Sequence, residues 1–230
     1  MNKYTGTDNL EVMSLAENYN SFLERLITQH AKKTDKILDF GAGIGTFAKR
    51  LHVNGFDVSC LETDPDQANL ITAYGIPTST AISNIPDNSY DYIYSLNVLE
   101  HIEDDHSVMK ELSRILKPSG TMLIYLPAMD ILFSSMDRKV GHYRRYSRKT
   151  LSNLAIKTGL TINKCAYADS LGFLATLIYK LSNNTKGDLN KSSLIFYDRF
   201  VFPASRLLDS IFSRMLGKNI YAVFENKQAH

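Results

Sequence analysis

Apolar residues fall along this chain in short blocks of two alternating kinds. Compact runs of strand length cover Ile37–Phe40, Asp57–Leu61, Tyr90–Ser95, Thr121–Leu126 and Leu160–Ala168, with a last one at Ile220–Glu225. Turn residues bound most of them. Between the runs, apolar positions recur three and four residues apart. In Leu10–Ala31 they are Leu15, Tyr19, Phe22, Leu23, Leu26 and Ile27, and in Asp104–Leu116 they are Val108, Leu112, Ile115 and Leu116. That is the spacing of one helix face. Punctuation agrees with it: Pro65 after Asp64 opens a helix that Gly75 stops, a short strand follows near Ile76–Thr80, and Ser147 caps a helix that Gly159 ends. Strand and helix in alternation predict an α/β fold around a parallel sheet.

The stretch Lys36–Leu51, KILDFGAGIGTFAKRL, decides what that sheet carries. Strand, glycine turn and helix in this order form a nucleotide-binding unit. Gly41 permits the sharp turn, and Gly43 lets backbone approach a ligand with no Cβ in the way. The helix beginning near Thr46 offers unpaired N–H groups. The spacing is G-x-G-x-G rather than the G-x-G-x-x-G of dinucleotide sites, and Asp39 stands at the strand end before the first glycine. A carboxylate there repels a pyrophosphate and suits a cation. The second strand leads to Glu62, the position from which an acid holds ribose hydroxyls. A cationic nucleoside fits this pair of acids, and S-adenosylmethionine (SAM) is the candidate. The same spacing and Asp39 disfavour an NAD-dependent oxidoreductase.

Five segments resemble, in family order, the motifs of class I SAM-dependent methyltransferases. They are Asp39–Gly45 (first motif), Leu61–Pro65 (acidic second-strand end), Ile85–Ile93 (approach to the fourth strand), Asn97–Ile102 (an "LEH" helix start) and Leu116–Thr121 (turn before the fifth strand). The resemblance implies a Rossmann-like, seven-stranded, mostly parallel sheet with helices on both faces and an antiparallel last strand. It implies that Asp39, Gly41, Ala42, Gly43, Gly45, Glu62, Thr63 and Asn97 bind the cofactor SAM. The family's acid for the adenine amine is missing from Ser79-Thr80-Ala81-Ile82, which leaves Thr80 or backbone groups for the adenine.

Residues 169–218 form an insertion before the last strand, where the family needs only a short hairpin. Leu171–Leu181 is strongly apolar. Leu194–Leu216 carries Tyr197, Phe200, Val201, Leu208, Ile211, Phe212 and Met215 on one expected face and Asp198, Arg199, Arg206, Asp209 and Arg214 on the other, with a kink at Pro203. Lys and Arg outnumber Asp in the insertion by seven to four. It reads as an extra helical layer, a wall of an acceptor pocket, or a homodimer or membrane-surface contact. The expected layout is a single domain, with an N-terminal helical segment (1–34), a SAM-binding core (35–168), the insertion (169–218), and a last strand with tail (219–230). In the family a segment such as Tyr4–Asn9 folds over cofactor or acceptor; a frayed tail is the other reading. Tyr19 is a candidate pocket residue.

Composition narrows the classes. At 44% hydrophobic, 22% charged and a formal net charge of +2, the chain has an ordinary globular make-up. It shows no basic face for nucleic acid. No run approaches the roughly 18 apolar residues of a membrane span, and the polar, acid-bearing start is unlike a secretory signal. Cys60 and Cys165 read as buried free thiols, with no paired spacing for a metal. The expected location is the cytoplasm, with the inner face of a membrane as a peripheral option.

Methyl transfer from a sulfonium is an in-line displacement, so an enzyme mainly aligns the acceptor. A hydroxyl acceptor also needs a base, and two histidines are candidates. His101 follows Glu100, and in methyltransferases of the ubiquinone-biosynthesis type the matching Glu-His pair lies close to the acceptor pocket. His142 lies in the polar loop Asp137–Ser147, and an unperturbed imidazole titrates near neutrality. Beside it, Tyr143, Arg144, Arg145 and Tyr146 are expected to recognise the acceptor, the arginines clamping a carboxylate or phosphate. This loop resembles one in bacterial methyltransferases of glycan and natural-product pathways. The expected function is methyl transfer from SAM to oxygen of a small-molecule or lipid-linked acceptor. A non-catalytic SAM-binding module, acting in an assembly through the insertion, is the alternative.

Overall fold

The computed structural model describes residues 13–181 and 191–227. The segment Tyr4–Asn9, and most of the polar connection expected at Asn183–Ser193, lie outside the described residues. In chain order the elements are α1 (Glu17–Thr28), β1 (Lys36–Phe40), α2 (Thr46–Val53), β2 (Asp57–Leu61), α3 (Pro65–Ala73), β3 (Thr78–Ser79) and β4 (Tyr90–Leu96). Then come α4 (Asp105–Ile115), β5 (Leu116–Pro127), α5 (Ser135–Lys139), α6 (Arg148–Thr158), β6 (Leu160–Ala168), α7 (Ser170–Leu181), α8 (Lys191–Phe196), α9 (Phe202–Phe212) and β7 (Asn219–Asn226).

Local chemistry sets most of these boundaries. Asp64 accepts from the N–H groups of Asp66 and Gln67 and so caps α3. Ser147 does the same for α6 from Thr150 N–H, and Gly159 ends that helix in the left-handed region. The seven strands form one sheet in the order β3-β2-β1-β4-β5-β7-β6, with β7 antiparallel to both neighbours. Successive strand residues feed opposite faces. Leu38 and Ile93 join an apolar cluster with α4 and α6, and Ile37 and Tyr92 join a second one with α1 and α2. The order reverses between β1 and β4, and ligands of such sheets bind at the carboxyl ends beside that switch.

The insertion is helical, as expected, and Tyr197, Val201, Leu208 and Phe212 are partly buried while Arg199 and Arg214 are exposed, but five positions depart from the expected faces. Asp198 and Asp209 are buried, while Phe200, Ile211 and Met215 are exposed. The cause is the need of two other helices for caps. Asp198 accepts from the N–H groups of Asn18 and Tyr19 at the start of α1 (3.0 and 2.9 Å), and Asp209 accepts from those of Asp169 and Ser170 at the start of α7 (both 2.9 Å). A buried carboxylate that meets helix-end N–H groups is satisfied. The kink expected at Pro203 is a wide π turn over Tyr197–Val201, which separates α8 from α9. Two smaller corrections follow. The polar loop from Asp137 begins inside the short helix α5, and Cys165 is only half-buried, unlike Cys60.

Candidate active site

β1 ends between β2 and β4, with Asp39 in register with Cys60 on one side and Tyr94 on the other. The Asp39 carboxylate is buried and accepts a 2.7 Å hydrogen bond from the Tyr94 hydroxyl. Burial, helped by the charge of Glu62, pushes the Asp39 carboxyl up to about 7, although the Tyr94 bond pulls the other way. At Gly41 the backbone has φ +75°, and a Cβ there would meet Val98 Cγ2 at 2.5 Å. Glycine is therefore required twice over, and the chain leaving β4 presses directly on the glycine turn. The Glu62 carboxylate accepts from Gly43 N–H at 2.7 Å and from Asp64 N–H at 2.9 Å. It braces the turn, and each oxygen keeps a lone pair for a further donor. Asn97, the first residue after β4, has φ +54° and an exposed side chain that the Tyr19 hydroxyl faces. Burial pushes that hydroxyl up to about 12. Tyr19 packs edge-on against Tyr125 and Phe202.

Directly after Val98, the chain makes a single 3₁₀ turn over Leu99–His101. Glu100 is fully buried there, and neither carboxylate oxygen has a hydrogen-bond partner among the described residues. Burial pushes its carboxyl up to about 8. His142 lies opposite, with Nε2 3.9 Å from Glu100 Oε1 and its ring 4.6 Å from that of His101. On its far side, His142 Nδ1 stands 2.9 Å from Asp137 Oδ1. Burial alone raises an aspartic acid, yet at Asp137 the His142 bond and the Arg145 charge prevail and hold it down at about 2. Burial and the neighbouring His142 lower His101 to about 4. A histidine held by a buried carboxylate, with its other nitrogen facing the Glu100 carboxyl, has the layout of a general base with its orienting group. Glu100, His101 and His142 also bring three ligand atoms within 4.8 Å of one another.

A family model described as "Methyltransferase domain" matches residues 14–164. The chain belongs to this methyltransferase family. Over 105 residues it is 31% identical to phosphoethanolamine N-methyltransferase 2 of Caenorhabditis elegans, covering 40% of this chain and 24% of that protein. Over 116 residues it is 32% identical to a ubiquinone biosynthesis O-methyltransferase of Rickettsia bellii, covering 46% and 48%. The matched region thus spans less than half the length of these curated relatives. Among solved structures, a SAM dependent methyltransferase from Archaeoglobus fulgidus aligns with a TM-score of 0.62 at 16% identity, over 91% of this chain and 94% of that one. Phosphoethanolamine N-methyltransferase 2 of Haemonchus contortus, in complex with SAM, aligns at 0.60 and 19%, over 91% and 53%. At such identities these likenesses speak for the fold, which is the Rossmann-like, seven-stranded one.

In this methyltransferase domain, Asp39, Gly41, Ala42, Gly43, Gly45 and Glu62 gather at the ends of β1 and β2. Thr63 and Thr80 are exposed beyond β2 and β3, and Asn97 closes the crevice from β4. His101 and His142 come together although 41 positions separate them in sequence (142 − 101). The tyrosine-arginine group divides. Arg145 is buried, doubly bonded to Asp137 (2.9 and 3.1 Å) and to the Ala128 carbonyl, so it is a strut of the loop instead of an acceptor clamp. Tyr146 is also buried, its hydroxyl on Asp105. Arg144 pairs with Asp105 and the Glu103 carbonyl (2.8 and 2.6 Å), which leaves Tyr143 as the exposed member. Asp137 and Tyr94 have no role in the sequence pattern, and Glu100 enters it only as the neighbour of His101. A carboxylate five residues before a loop histidine was the available signal for Asp137; Tyr94 meets Asp39 only across paired strands.

Proposed function

We propose that this chain moves the methyl group of SAM to a hydroxyl oxygen of a small-molecule or lipid-linked acceptor. The observation that carries the reading is the Asp137–His142 pair, poised beside the segment that presses on the glycine turn. SAM supplies the methyl group on its sulfonium. The acceptor's O–H proton passes to His142 Nε2, an O–CH3 bond forms as the S–CH3 bond breaks, and S-adenosylhomocysteine leaves. Asp137 keeps the imidazole in the tautomer that accepts at Nε2. Glu100, protonated below about 8, offers its unpartnered O–H to the acceptor. Asp39 and Glu62 hold the cofactor and take no part in the chemistry.

Isothermal titration with SAM tests the cofactor half. Asp39→Ala and Glu62→Ala each remove an acceptor for a charged or polar ligand group, worth about tenfold to a hundredfold in affinity. Because only the ionised Asp39 attracts a cation, SAM affinity is expected to rise as pH climbs through about 7. Absent binding to the wild type, or affinity untouched by both substitutions, overturns the reading.

The orphaned oxygens of Glu100 favour one second reading, in which Glu100, His101 and His142 hold a divalent cation that polarises the acceptor hydroxyl. Methyl transfer that EDTA abolishes and an added divalent ion restores selects this reading. The histidine base alone predicts indifference to the chelator.

A further inference from the structure

The insertion leaves an apolar surface outside. Ile178 and Leu181 on α7, Phe196 and Phe200 before α9, and Leu207 and Ile211 on α9 are each more than half exposed. Their spacing follows one helical stripe on each element, and α7 packs beside α9. Exposed large apolar residues gathered on neighbouring helices mark an interaction surface.

The charges say what covers it. The described acids of 169–218 are Asp169, Asp198 and Asp209, and all three are buried and bound to backbone N–H groups, Asp169 to that of Gly172. The charges that remain on the outside of the described insertion are positive, among them Lys191, Arg199 and Arg214. A second copy of this surface would bring like charges together, which opposes self-association. No described helix is long and apolar enough to cross a membrane. Short helices with apolar residues outward and only basic exposed charges among their own described residues suit the interface of an anionic bilayer, where they lie flat.

From this geometry we infer that α7–α9 dock the chain on the surface of an anionic lipid bilayer. The surface also reaches the candidate active site. Lys180 Nζ donates to the Ile131 carbonyl at 2.7 Å, and Ile131, itself exposed, lies on the connection from β5 to α5 and Asp137. Docking therefore brings the His142 loop to the headgroup layer, which deepens the proposed methyl transfer, and rests on it, by making a membrane-borne acceptor the accessible class.

Co-sedimentation with vesicles tests the inference. The wild type is expected to pellet with vesicles of phosphatidylcholine and phosphatidylglycerol, less as salt is added, and to stay in solution with phosphatidylcholine alone. Lys191→Ala with Arg214→Ala lowers the anionic-vesicle affinity about thirtyfold. Leu207→Ser with Ile211→Ser takes it below detection. Both pairs are exposed and lie outside the Tyr197–Val201 turn that holds the start of α1, so SAM affinity by calorimetry stays at the wild-type value. Failure of the wild type to pellet, or pelleting that survives the apolar pair, overturns docking. So does a wild-type dimer that sediments without vesicles and falls apart in the apolar pair. SAM binding measured on the same samples separates the two readings, since its loss in the wild type would overturn methyl transfer instead.

Discussion

Replacing His142 by alanine is expected to lower kcat for methyl transfer by about two to four orders of magnitude, the range of a positioned general base, with SAM affinity unchanged. The imidazole is held at Nδ1 alone. Nδ1 is bonded to Asp137 at 2.9 Å, and Nε2 faces the Glu100 carboxyl at 3.9 Å. None of its contacts involves the glycine turn, so cofactor binding has no reason to suffer. The neighbouring His101 is a poor substitute. It is held neutral by burial and by His142, with its titration lowered to about 4, and so is a weaker base at neutral pH. Single-turnover measurements with preloaded SAM check this. A kcat near the wild-type value with a raised KM would assign His142 to acceptor binding and refute the base.

Asp137→Ala carries the largest expected cost in stability. Its side chain and that of Arg145 are almost wholly buried, and the guanidinium bonds both carboxylate oxygens. Breaking such a pair by removing one partner leaves a buried charge uncompensated, which costs about 3–5 kcal/mol. Urea unfolding reads this directly, and a loss well under about 1 kcal/mol would show that the pair acts like a surface one. The pH dependence has a definite sign. Asp137 is held at about 2 in the fold, below the usual aspartate value of about 4. Its stabilisation is therefore complete above about 4 and disappears as pH falls toward 2. The wild type is expected to lose stability over that window, and Asp137→Ala to lose less of it. Asp137→Asn, which retains the shape and one acceptor oxygen, falls between the two.

The features legible from sequence are those whose causes are local. The strand that ends in Asp39, the glycine turn, the Asp64 cap and the Gly159 stop each depend on a few adjacent residues, and the structure has all of them in place. Asp39 and Glu62 come together because parallel neighbours in register end level with one another, which the strand-turn-helix order already implies. What stayed hidden depends on partners distant in sequence. Arg145 reads as a ligand clamp in the sequence because Asp137 reads as a loop acid, and an eight-residue separation says nothing about direction until α5 turns one toward the other. The burial of Asp198 and Asp209 in the insertion is hidden from sequence because amphipathic counting weighs side chains by polarity alone. It takes no account of two helix ends elsewhere, each with bare N–H groups that a buried aspartate satisfies.

One of those aspartates, Asp198, ties α1 to the insertion. The amides of Asn18 and Tyr19 are bonded to Asp198, 180 and 179 positions away, so their exchange with solvent follows the opening of the π turn at Tyr197–Val201. The start of α1 and the middle of the insertion thus open as one cooperative unit, and whatever loosens the second also frees Tyr19 at the cofactor crevice.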